Sequence, residues 1–237
     1  MTSLPQIETT PDFRHVDSWI FDLDNTLYPA ASGLFAQIDR RMTEFVSGKL
    51  GVGLAEARII QKSYYRDHGT TLNGLMRLHD VDPDAYLGYV HDIDLTPLTV
   101  DSELDSALAR LNGKRFVFTN GCRKHASRVL GQMRLGRHFD DIWDIRTIGF
   151  RPKPDPLAYD DVISASGIDP SRAAMFEDAA RNLVPAHALG MTTVWLRNGS
   201  EWSKQGPAFP VASSAHIDHE IEDLAQFLHS IRIKHDR

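Results

Sequence analysis

The sequence has almost no cysteine: Cys122 stands alone in 237 residues. An intrachain disulfide is thereby excluded, as are zinc sites built from several thiolates, and a reducing cytoplasm is the expected compartment. Long blocks of Lys or Arg are missing too. With 26 basic against 32 acidic residues the net charge is -6, so the electrostatic footprint of a binder of nucleic-acid polymers is lacking. No apolar run approaches the length of a membrane span, and no membrane partner is expected. Met1 to Asp17 is polar, carries Pro5 and Pro11, and has no continuous apolar core, so residues 1–17 are expected to form a flexible tail. What these absences leave open is a small anion held in a local site.

What is present is a chain that can fold. Hydrophobic residues make up 42% of it, enough for a substantial core and too many for disorder of the whole. Short apolar runs recur at Trp19 to Leu23, Arg115 to Thr119, Asp141 to Ile145, Ala173 to Phe176 and Thr192 to Leu196, and read as buried strands. Helical stretches lie between them at Glu103 to Leu111, His125 to Leu135, Leu157 to Ser166 and Leu183 to Leu189, each followed closely by glycine. Strand and helix in alternation predict an α/β fold, a Rossmann-like parallel sheet with helices on both faces. After Arg197 a loop with Gly199, Gly206, Pro207 and Pro210 should lead to a closing helix through Ile221, Leu224, Phe227, Leu228 and Ile231.

Residues 31–99 break the rhythm. Leu34, Ile38, Met42, Phe45 and Val46 have helical spacing and no convincing strand follows. Breaks at Gly51 to Gly53, Asp67 to Gly69 and Val81 to Pro83 divide the segment into about four helices. The expected organisation is a core domain of residues 18–30 and 100–237, interrupted by a helical-bundle cap of residues 31–99.

The first strand ends in Asp22-Leu23-Asp24-Asn25-Thr26. On an extended segment alternate side chains share a face, so Asp22 and Asp24 would lie close enough to need a cation or a shared proton. A strand end rich in Asp and Asn also has a plain reading, as a turn whose side chains bond local backbone. Three further features lie at or just beyond later strand ends, where open parallel sheets place their sites. Thr119-Asn120-Gly121 offers a hydroxyl and backbone N–H groups to an anion at a helix start, or simply caps that helix. Lys153 stands between two prolines in Arg151-Pro-Lys-Pro154, which fix the backbone direction, an unusual setting for a solvated lysine. Glu177-Asp178 either compensates a helix N-terminus or adds to an acidic cluster. Asp22, Asp24, Glu177 and Asp178 at one sheet edge would repel each other by several kcal/mol, and a hard divalent ion with oxygen ligands, Mg2+ being the simplest choice, relieves that. His216-Ile-Asp-His219 is expected to be solvated or to cap a helix, and Cys122 to pack.

Taken in order, Asp22-Leu-Asp-Asn-Thr26, Thr119-Asn120, Lys153 and Glu177-Asp178 resemble the haloacid dehalogenase superfamily of aspartate-nucleophile phosphatases, over nearly the whole chain. Leu27-Tyr-Pro29, Tyr64-Tyr65 with Gly69-Thr-Thr71, His91-Asp-Ile-Asp94 and Phe176-Glu-Asp178 with Arg181-Asn-Leu183 are similar to its pyrimidine 5'-nucleotidase branch. The resemblance implies Mg2+-dependent hydrolysis of a phosphate monoester, a small phosphorylated metabolite expected to be a nucleoside monophosphate. It makes Asp22 the nucleophile and Asp24 the acid and base, the latter keeping a proton near neutral pH. Thr119, Asn120 and Lys153 become phosphate ligands. Asp22, the Asp24 backbone carbonyl and Asp178 hold the metal, with Glu177 a ligand or a group behind the ligands. Tyr64, Tyr65 and His91 are candidates for contacting a base or ribose, or for aromatic packing within the cap. Alternatives are a phosphosugar mutase, a broad small-metabolite phosphatase such as a phosphoglycolate phosphatase, and a non-enzymatic module that senses a phosphorylated ligand.

Overall fold

The computed structural model describes residues 10–199 and 214–234. Its centre is a six-stranded parallel sheet: β1 (Ser18–Phe21), β2 (Lys114–Phe118), β3 (Asp141–Trp143), β4 (Ala173–Glu177), β5 (Thr192–Leu196) and β6 (His219–Ile221), in spatial order β3-β2-β1-β4-β5-β6. β1 lies between β2 and β4, with Phe21 opposite Val117 on one side and Phe176 on the other. The connections run outward from β1 in both directions, so its carboxyl end is the switch point at which such sheets open a crevice. Five strands match the apolar runs. The sixth, β6, falls where the closing helix was expected to begin, because three residues with one buried side chain carry no readable period.

Period-two alternation divides the core between the two faces. Trp19, Phe21, Val117 and Phe176 join one apolar cluster and Ile20, Phe116, Phe118 and Met175 the other. Helices α5 (Ser102–Ala109), α6 (Arg123–Gln132) and α9 (Leu224–Ser230) supply the first cluster through residues such as Leu108, Val129 and Leu228. Helices α7 (Pro156–Ser166) and α8 (Leu183–Ala188) supply the second through Ala158, Val162, Leu183 and Ala186.

Between β1 and α5 come four helices, α1 (Leu34–Leu50), α2 (Leu54–His68), α3 (Thr71–His79) and α4 (Pro83–Val90). Their ends follow local chemistry. Gly51 closes α1 at φ 68°, Thr70 Oγ1 accepts from Asn73 N to start α3, and Asp82 with Pro83 starts α4. No described helix is long and apolar enough to cross a membrane.

The expectation of a tail over residues 1–17 needs correction from residue 11 onward. Phe13 and Val16 are buried, Phe13 N donates to Arg232 O and Arg232 N to Pro11 O, and the Phe13 ring stacks on Trp19 at 5.9 Å. Two apolar residues among polar ones carry no periodic signal, yet they cover the sheet beside α9, where Phe13 meets Phe227 edge-on. His216 is likewise buried against Ala180 O, and His219 sits in β6 against Phe13, so neither is a solvated or capping group.

The turn into β2 is the tightest in the core. Gly113 has φ 83°, and a Cβ there would lie 2.1 Å from Asp17 O, the acceptor of the Lys114 N–H. Gly113→Ala is expected to cost at least about 2 kcal/mol, since it combines left-handed strain with a backbone clash beside the central strand. Urea denaturation checks this, with Gly131→Ala as the comparison free of strain and clash, which at an open helical site should hold or raise stability.

Candidate active site

Three strand ends and one loop deliver the polar groups. The sheet register continues one residue past β1, where Asp22 N donates to Phe176 O at 2.9 Å, and this places the Asp22 carboxylate at the switch point. Thr119 follows β2, Glu177 closes β4 and Asp178 follows it. Lys153 arrives from the loop before α7 and lies among them, its side chain 1% exposed. Its Nζ donates to Asp22 Oδ1 at 2.8 Å, Glu177 Oε2 at 2.7 Å and Phe118 O at 2.6 Å, which engages all three ammonium hydrogens.

Asn120 holds that lysine from behind. Its Oδ1 accepts from Lys153 N at 2.8 Å and its Nδ2 donates to Lys153 O at 3.1 Å. Asn120, expected among the phosphate ligands, therefore uses its side chain as a two-point clamp on the lysine backbone. Thr119 is buried, and its Oγ1 accepts from Gly121 N at 2.9 Å, which leaves the hydroxyl hydrogen for another acceptor.

Asp22 and Asp24 line one cavity but take different partners. Asn25 enters the left-handed region at φ 66° and the chain turns, with Leu27 N donating to Leu23 O. Asp24 Oδ1 then meets Tyr28 Oη at 2.6 Å and His125 Nε2 at 3.1 Å. Burial by itself would raise the Asp24 pKa, but the charge and hydrogen bond of His125 and the hydrogen bond from Tyr28 outweigh it and hold the carboxyl below its ordinary value. This lowering runs against the expectation that Asp24 keeps a proton near neutral pH, and its cause is that two donors meet Oδ1.

Asp22 shows the opposite balance. Burial and the adjacent Glu177 push it up to about 7 against the pull of Lys153. Asp178 is raised well above the carboxylate range by burial and by Glu177 and Asp22. Lys153 is raised despite its burial, by those same carboxylates. Oxygens of Asp22, Glu177 and Asp178 all lie within 4.8 Å of one another. Three carboxylates against one ammonium leave an excess that one hard divalent cation would neutralise, so this donor set fits such an ion. Glu177 belongs in the set; the Asp24 carboxylate, turned to Tyr28 and His125, does not.

The opposite wall of the cavity comes from α1 to α4 and includes Ile38, Met42, Tyr65, Leu72, Tyr86 and Val90. Arg181 Nη2 donates to Tyr65 Oη at 2.5 Å, tying this wall to the strand ends. Tyr64 instead bonds His79 Nε2 at 2.6 Å within the inserted helices. His91 lines the cavity and stacks on His125 at 4.3 Å. Cys122 is buried, with its Sγ 3.2 Å from His91 Nδ1, and burial raises its thiol pKa, consistent with packing. Sequence reasoning missed His125 as a functional residue. The available signal was a histidine in the first turn of α6 beside the apolar Ala126, Val129 and Leu130, six residues after Thr119.

Comparison with known proteins places this geometry. A model of haloacid dehalogenase-like hydrolases matches residues 16–190. The chain belongs to that family. Among curated relatives, Phosphate metabolism protein 8 of Saccharomyces cerevisiae is 28% identical over 191 residues, covering 73% of this chain. The chain spans 59% of the length of that yeast protein. Phosphoglycolate phosphatase of Pseudomonas fluorescens is 26% identical over 193 residues, covering 76% of this chain and 69% of that protein. A HAD phosphatase from Thermococcus onnurineus shares the fold with a TM-score of 0.61 at 22% identity, covering 92% of this chain and all of that one. This haloacid dehalogenase-like hydrolase thus combines the parallel core of the family with a four-helix insertion that forms one wall of its site.

The raised Asp22 pKa has a stability consequence in the absence of divalent metal. Between the ordinary 3.8 and about 7 the native state holds a proton that the unfolded chain has released. Stability from this group is therefore fully present below about pH 4 and is lost as pH rises to about 7. Asp22→Asn should raise the melting temperature over wild type at about pH 8 and leave it nearly unchanged at about pH 4, read by calorimetry in chelator. Equal shifts at both pH values would show that Lys153 already compensates the carboxylate.

Proposed function

We propose that this hydrolase cleaves phosphate monoesters through a covalent intermediate on Asp22, with a nucleoside monophosphate as its substrate, in the manner of a pyrimidine 5'-nucleotidase. The observation that carries the reading is the convergence on one cavity of Asp22, Thr119 and Asp178 from three strand ends and of Lys153 from the loop before α7. Family membership supports it, as do the names of two relatives, one for phosphate metabolism and one for a phosphatase.

Asp22 attacks phosphorus; the bond from phosphorus to the leaving oxygen breaks and Asp24 gives that oxygen a proton. Asp24 then takes a proton from water, whose oxygen attacks the aspartyl-phosphate, releasing inorganic phosphate and restoring Asp22. An incoming phosphate brings negative charge beside Asp24 and raises its proton affinity, which offsets the lowering by His125 and Tyr28. Lys153 and Thr119 hold phosphoryl oxygens and offset charge in the transition state, with Asn120 keeping Lys153 in place. Asp22, Asp178 and the Asp24 backbone carbonyl, with Glu177 in reach, would hold Mg2+, which when bound supplies the positive charge that keeps Asp22 ionised.

Selection among phosphates falls to the inserted helices, since the core site sees only the phosphoryl group. A wall of Ile38, Met42, Leu72, Leu87 and Val90 with Tyr65 and Tyr86 offers a flat base more apolar contact than it offers a small charged acid such as glycolate. Asp22→Asn should abolish turnover and the acid-labile phosphoenzyme together while circular dichroism stays unchanged; retained turnover would reject the nucleophile. Phosphate release should require Mg2+ and be fastest with pyrimidine 5'-monophosphates in a panel that includes purine nucleotides, sugar phosphates and phosphoglycolate. A faster rate with phosphoglycolate would move the substrate to that class, and return of the phosphoryl group to a sugar without phosphate release would make the protein a mutase.

A further inference from the structure

Among the described residues, Asp24 is held by one of its two oxygens. Tyr28 Oη at 2.6 Å and His125 Nε2 at 3.1 Å both point at Oδ1. Neither donor is free to wander. The Tyr28 side chain is buried, and His125 is 0% exposed with its ring stacked on His91 at an interplanar angle of 11°. Burial and the carboxylate beside it raise the Tyr28 pKa well above the ordinary phenol value, so the hydroxyl keeps its hydrogen. A carboxyl oxygen facing Nε2 selects the state of His125 that carries hydrogen on that nitrogen; Nδ1, on the far side of the ring, is buried without a hydrogen-bond partner among the described residues.

An oxygen that accepts from two donors acts as the carbonyl-like oxygen whether the group is ionised or neutral, so an acidic proton must reside on the other. We infer that Tyr28 and His125 are positioning residues which, by occupying Oδ1, confine the transferable proton of Asp24 to Oδ2 and so aim it at the leaving oxygen. The inference rests on the reading of Asp24 as acid and base. It gives work to two residues that touch neither phosphate nor metal ligands other than Asp24. It also explains why a histidine is fully buried beside a carboxylate with half of its ring unsatisfied, an arrangement that a purely structural contact does not require.

The test uses phenyl phosphate and p-nitrophenyl phosphate in the presence of Mg2+. Phenolate leaves poorly without a proton, whereas nitrophenolate leaves well without one, so kcat/KM for the first depends far more on a correctly aimed acid. Tyr28→Phe, which keeps the ring, and His125→Gln, which keeps a donor of different reach, should each lower kcat/KM for phenyl phosphate by about tenfold or more. The same variants should stay within about threefold of wild type on p-nitrophenyl phosphate. Asp24→Asn should show the same selectivity more strongly. Equal losses on both substrates in Tyr28→Phe and His125→Gln, with selectivity retained in Asp24→Asn, would overturn the positioning role and leave the acid assignment standing. Equal losses in Asp24→Asn would overturn both. Tyr28→Phe decides the matter by itself if His125→Gln does not fold.

Discussion

The buried ammonium of Lys153 is the interaction on which the site depends. It satisfies one oxygen of Asp22, one of Glu177 and the last carbonyl of β2, and so bridges three neighbouring strand ends at the point where the sheet changes direction. Without it, three buried carboxylates would face one another in a medium that screens them weakly, a situation costing several kcal/mol. The clamp from Asn120 and the prolines on either side of Lys153 serve the same end, since a backbone already restricted leaves less conformational entropy to lose when the lysine is placed there. Even so three carboxylates against one ammonium leave the balance negative, and burial with that mutual repulsion pushes Asp22 and Asp178 up.

Two carboxylates two residues apart receive opposite environments. Asp22 faces acids and one lysine; Asp24 faces a phenol and an imidazole. Asp22 is raised and Asp24 lowered, the reverse of what a nucleophile and a general acid need, so the proposed roles call on the charge of a metal ion beside Asp22 and of a phosphate beside Asp24 to turn both. The left-handed turn at Asn25 brings Tyr28 back to Asp24, and His125 reaches the same carboxylate from α6. The four-helix insertion begins a few residues later, so Asp22, Asp24 and the opposite wall of the cavity are joined by a short piece of chain. Arg181 bonded to Tyr65 and His91 stacked on His125 are the contacts by which that wall meets the core.

Much of the architecture was legible because it rests on local rules. The sheet strands are continuous apolar runs, as parallel strands covered on both faces must be, and the inserted helices end where glycine, proline and capping side chains interrupt them. β6 and the docking of Phe13 were not legible, since each depends on a single apolar side chain finding a gap formed by distant elements. Of the site, Asp22, Asp24, Thr119, Lys153, Glu177 and Asp178 stand out in sequence because strand ends concentrate function. His125 does not, for its partner Asp24 is 101 residues away and a histidine on an apolar helix face looks like core.

The order of elements, the identity of the polar residues at the strand ends and the placing of the insertion follow from the sequence alone, because periodicity, breakers and spacing are properties of neighbouring residues. The tertiary structure alone decided which groups each of them meets: the Asn120 side chain grips the backbone of Lys153, Glu177 comes within reach of Asp22 and Asp178, and Asp24 meets Tyr28 and His125. Proton affinity and hydrogen-bond partnership depend on charges and donors within a few ångströms, and residues that close to one another in space come from every part of the chain.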